Sequence, residues 1–108
     1  QALIKRSLGN TLINQYILSG EICKSDAIRT TPGGMEILTF EMRHRSLQSE
    51  AGEDRRVDFN IKCVAVGKTA LEIERLSDGL LLRCEGFLIS KSKDSRLLVF
   101  NVKLFKVI

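Results

Sequence analysis

Residues 57–66 read VDFNIKCVAV. Val57, Phe59, Ile61, Cys63 and Ala65 alternate with Asp58, Asn60 and Lys62. A period of two belongs to a strand with one buried and one wet face. That register assigns Phe59 to the core, as it does Phe40 in the run before it. Working outward, residues 36–44 (EILTFEMRH), 80–90 (LLLRCEGFLIS) and 96–107 (RLLVFNVKLFKV) are further strands. Residues 12–24 (LINQYILSGEICK) are a long first strand rich in β-branched residues. Gly20 and Gly86 inside strands mark a bulge or a bend at a barrel corner.

One segment departs from this period. In residues 68–77, KTALEIERLS, Ala70, Ile73 and Leu76 fall at helical spacing. Ala, Leu and Glu favour a helix, and Gly67 and Asp78-Gly79 punctuate its ends. Pro32-Gly33-Gly34 turns the chain between the first two strands. Residues 46–56, SLQSEAGEDRR, read as a long polar loop, with Glu53-Asp54 a solvated turn, and KSKDS as a short basic one. Five strands with a helix between the third and fourth match an all-β OB-fold barrel. An SH3-like barrel is the rival, but it does not normally keep a helix at that point.

The chain has 108 residues, enough for one domain. Residues 1–9 are read as an N-terminal extension outside the folded domain, and residues 10–108 as a single OB-fold. A 44% hydrophobic and 28% charged composition is globular and excludes a disordered chain. No apolar run reaches ~18 residues, and QALIKRSLG lacks the pattern of a secretory signal. Cys23, Cys63 and Cys84 are odd in number, lie in apolar runs and form no CxxC, so they read as buried reduced thiols of a cytoplasmic protein. No metal or other cofactor is expected.

Chemistry-bearing residues are few. His44 is the only histidine and reads as a structural or ligand-contacting residue at a strand end, and TPGGM lacks the Lys and the helix of a phosphate loop. No enzyme is expected. Net charge is +4, from 17 basic and 13 acidic residues, which hints at an anionic partner. An OB-fold binds single strands on its second and third strands, helped by its 1–2 and 4–5 loops. Arg43, Arg45, Arg55 and Arg56 fall in the 2–3 region, and Lys91, Lys93 and Arg96 in the 4–5 loop. These seven are the candidate DNA-binding residues. Tyr16 and Phe87 are candidate base-stacking residues. With no Trp, binding should be dominated by charge and weakened by salt.

The run HRSLQSEAG (His44–Gly52), preceded by TPGGMEILTFEMR and followed by Arg55, resembles the primosomal replication protein N (PriB) family. NQYILSGEIC is similar to that family's first strand, and CEGFLISKSK to its fourth strand and basic loop. The resemblance implies an OB-fold homodimer without catalysis that binds single-stranded DNA. It implies a place in replication restart between the helicase PriA and the protein DnaT. By position, Arg45 and Arg55 match DNA-contacting arginines, and Lys91, Lys93 and Arg96 the basic loop. Arg43 stands where the family often has Glu. Asp58 and Phe59 stand where some members carry Trp. Met35-Glu36 replaces the family's second hairpin proline. Two alternatives remain: a general single-stranded-DNA-binding protein, and an adaptor that binds only proteins. The former carry an acidic tail, whereas this chain ends at Ile108 beside Lys103 and Lys106, which favours the primosomal reading.

Overall fold

The computed structural model describes residues 12–108, so the extension read at residues 1–9 lies outside them. Among the described residues the elements are β1 (Tyr16–Ser25), β2 (Arg29–Thr30), β3 (Glu36–Glu50), β4 (Glu53–Val66), α1 (Lys68–Glu74), β5 (Leu81–Ser90) and β6 (Leu98–Val107). They form one sheet of order β1-β5-β6-β4-β3-β2, closed into a barrel by β1 pairing with β3. All pairings are antiparallel except β4 with β6. This is the OB-fold. The two-residue β2 is an addition to the five expected strands.

β1 serves both sides of the closure. Tyr16–Glu21 pair with β5, and Glu21–Ser25 pair with β3. Gly20 is where the strand crosses close to β3, since a Cβ there would lie 2.8 Å from the Arg43 carbonyl oxygen. The bulge itself comes later, between Ile22 and Lys24. Gly86 does sit at a bulge, against β6. A side chain there would collide with the Asn101 carbonyl, so only glycine fits.

Ile22, Leu38, Phe40, Met42, Leu82, Phe100 and Val102 fill the barrel. Helix α1 plugs one end with buried Ala70 and Ile73. Cys63 and Cys84 are buried, and the Cys84 Sγ lies 3.6 Å from the Met42 Sδ. Burial pushes the Cys84 thiol up to about 11, and pushes Cys63 higher still, with the neighbouring Cys84 adding to it. Cys23 is exposed on the β1 bulge, against the expectation of burial. Ile22 beside it is buried, so strand alternation turns Cys23 outward although it lies in an apolar run.

The largest departure concerns residues 46–56. They form no loop. β3 and β4 stay paired from Ile37↔Val66 out to Glu50↔Glu53. Among the described residues neither strand has another neighbour in the sheet beyond Arg43, so a two-stranded arm of roughly 20 Å leaves the barrel. Ala51 (φ 54°) and Gly52 (φ 79°) make its tip, as a two-residue hairpin with both central residues left-handed. Glu53 and Asp54 are therefore strand residues. His44 is likewise inside β3 and not at its end. Phe59 keeps the inward register, but it lies past the end of the core and is 37% exposed.

Candidate nucleic-acid interface

Alternation along β3 and β4 sorts the side chains. Leu38, Phe40 and Met42 point into the barrel, so Thr39, Glu41, Arg43, Arg45 and Leu47 occupy the outer face. On β4, Cys63 and Ala65 are buried, which puts Arg56, Asp58, Asn60, Lys62 and Val64 outside. Over the barrel this outer face carries a cleft of about 450 Å³ between Arg29 and the start of the β5–β6 loop. Arg29, Lys62 and Lys91 line it together with Thr39, Val64, Ile89 and Asn101. Asp26 and Glu41 contribute the nearby acids.

From Lys62 to Arg56 the same face continues for six residues of β4, roughly 20 Å. Arg43 and Arg45 lie along it from β3. Arg43 Nη2 and Arg45 Nε each stand 3.6 Å from Asp58 Oδ2. Arg56, Lys62 and Lys91 carry no ion pair among the described residues. Arg55 points to the opposite face, where its Nη1 donates to Glu50 Oε1 at 2.7 Å. Lys93 and Arg96 are exposed on the β5–β6 loop but do not line the cleft. Tyr16 is half exposed at the start of β1. Phe87 lines a separate depression with Asn14, Gln15, Lys103 and Leu104. The structure thus brings together Arg43, Arg45, Arg56 and Lys91 on one face, and not Arg55, Tyr16 or Phe87.

Arg29 and Lys62 escape a reading based on loops. Lys62 is visible in VDFNIKCVAV as a polar position of the alternating strand, and its meaning comes from the face it shares. Arg29 has no such signal, because the two-residue β2 is too short to show a period.

The arm is fixed at its root by His44. The ring stacks on Phe59, with centroids 4.9 Å apart. Nδ1 lies 2.7 Å from the Ser19 carbonyl oxygen and Nε2 lies 2.8 Å from Ser46 Oγ. A carbonyl only accepts, so Nδ1 donates; in the neutral ring, Nε2 then accepts from the Ser46 hydroxyl. Gln48 Nε2 donates to the same hydroxyl oxygen at 2.8 Å. The relay bolts β3 to β1 where backbone pairing has ceased.

Residues 14–104 match the sequence profile of a family described as another single-strand binding protein family. Replication restart protein PriB of Nitrosomonas europaea is 37% identical over 95 residues, 88% of this chain and 88% of that protein. The chain belongs to the PriB family. Another PriB, from Bordetella pertussis, is 36% identical over 77% of this chain and 78% of its own. The solved structure of priB from Ralstonia solanacearum superimposes with a TM-score of 0.81 at 29% identity, covering 90% of this chain and all of that one. The single-stranded DNA binding protein from Thermus aquaticus gives 0.71 at 25% identity, covering 89% of this chain and half of that one. PriB membership agrees with the resemblance read from the sequence, and the barrel agrees with the OB-fold.

Proposed function

We propose that this chain is a single-stranded-DNA-binding accessory protein of the replication restart primosome, cytoplasmic and without catalysis of its own. The observation that carries the reading is the shared outer face of β3 and β4. On it the cleft cations Arg29, Lys62 and Lys91 are continuous with Arg43, Arg45 and Arg56. A positively charged groove that tracks a backbone is what single-strand binding requires. Lys93 and Arg96 on the β5–β6 loop extend the cationic field from its margin, whereas Arg55 lies on the opposite face, paired with Glu50. Tyr16 and Phe87 lie off the face, so stacking on them is secondary to phosphate contact. The PriB names of the relatives support a role for this binding in replication restart. The chain then bridges a helicase and a loader protein, PriA and DnaT in the family, and works as a homodimer.

If each protomer neutralises ~3 phosphates, a dimer gives a log–log salt slope of roughly −4. Titration of single-stranded oligonucleotide at several salt concentrations measures it. Replacing Lys91, Lys93 and Arg96 together by Ala should weaken binding to poly-dT and to mixed sequence by similar factors, and make the slope shallower. A slope near zero, preference for duplex, or unchanged affinity in a folded triple variant would move the basic charge to a protein partner.

A further inference from the structure

We propose that Asp58 is a built-in competitor for phosphate on the arm, a carboxylate that occupies the place between Arg43 and Arg45 until a nucleic-acid strand displaces its influence. The inference rests on the single-stranded-DNA reading above and concerns how tightly that face holds its strand. Asp58 is the direct cross-strand partner of Arg45, and Arg43 is the diagonal neighbour on the same face. One oxygen, Oδ2, stands 3.6 Å from Arg43 Nη2 and 3.6 Å from Arg45 Nε. Neither distance is that of a hydrogen bond. The carboxylate therefore holds two guanidinium groups side by side without engaging their N–H donors.

The inner face supplies a contrast within the same arm. There Arg55 and Glu50 close to 2.7 Å and bond directly. On the outer face the pairing is open, and the unused donors of Arg43 and Arg45 can grip phosphate in their fork geometry. The negative charge nevertheless stays in place, half exposed at 54%. A phosphate arriving there meets two cations and one anion. Fewer counterions are released on binding than two free arginines would release, and the strand is held less tightly than the arginine count implies. Asp58 thus sets a readily released strand.

Oligo-dT of ~30 nucleotides, titrated at several salt concentrations, tests this with Asp58→Asn, Asp58→Thr and a charge-matched control, Glu74→Gln on α1. Removing the carboxylate should tighten binding roughly threefold to tenfold at low salt, from two exposed pairs of ordinary strength. The salt slope should steepen by up to about 0.7, one further phosphate. Asp58→Thr, which suits a strand, should reproduce the gain, and Glu74→Gln should leave binding as in the parent. Equal or weaker binding by the Asp58 variants overturns the proposal, as does an equal gain from Glu74→Gln. The parent's own affinity reports separately on the DNA reading. If only the Asp58 variants bind, the masking role stands; if neither they nor the parent bind, both readings fall.

Discussion

Cys63 and Cys84 lie inside the barrel and Cys23 lies on its surface, so three chemically equal residues should behave unequally. A thiol reagent should modify one cysteine per folded chain, mapping to Cys23 by peptide mass, and all three after denaturation. Cys84 also carries a pH consequence. Its thiol is raised from an ordinary 9.0 to about 11 because burial disfavours the thiolate. Above pH 9 the unfolded chain therefore loses protons that the folded chain keeps, and stability declines as pH rises from 9 towards 11. Denaturant melts below pH 9 and near pH 11 measure the decline, and Cys84→Ala should reduce it. The sequence reading buried all three thiols because each sits in an apolar run. Phe59 was misassigned for a similar reason: alternation gives the face but not where along the strand the core ends.

At the scale of elements, the arm's tip stores a correctable strain. Ala51 is the only non-glycine residue of positive φ among those described. A left-handed conformation costs an L-residue about 1–2 kcal/mol, and Asn relieves part of it. Ala51→Asn, giving the preferred hairpin pair with Gly52, should slow amide hydrogen exchange across residues 46–57 severalfold, with little change in the global melting curve. Faster exchange would show that the arm is limited elsewhere. The arm was also the element least legible in the sequence. A strand announces itself when one face is apolar, and in SLQSEAGEDRR both faces meet water. Helix α1 and the barrel strands were legible because Ala70, Ile73 and the Leu38–Phe40–Met42 series each mark a buried stripe. The site was half legible on the same grounds. Lys91 and the arginines stood out as clusters. That Arg43 and Arg45 share Asp58, while Arg55 turns away, follows only from the register of an unrecognised ribbon.

For the whole molecule the open question of chemistry is the edge of β1. Ser19 gives its carbonyl to His44. Ile17, two residues earlier on the strand, turns its backbone N–H and C=O to the same side and, among the described residues, has no strand beyond it there, since Tyr16–Glu21 pair only with β5 apart from the junction at Glu21. An unpaired edge invites a second chain, and a two-fold axis would let β1 pair with its twin. Sedimentation equilibrium should give twice the 12.1 kDa chain mass at micromolar concentration. Proline at Ile17, which removes a backbone donor, should shift it to the monomer. A wild-type monomer would refute the dimer. The arm sets how far such an assembly reaches, and it behaves like text with a reading frame of two. Lengthening both its strands by two residues keeps every side chain on its own face and carries the tip about 7 Å further. Lengthening both by one inverts the message beyond the insertion: the face that presented Arg45 and Arg56 would present Gln48 and Arg55. Natural variation in this arm is therefore expected in even steps.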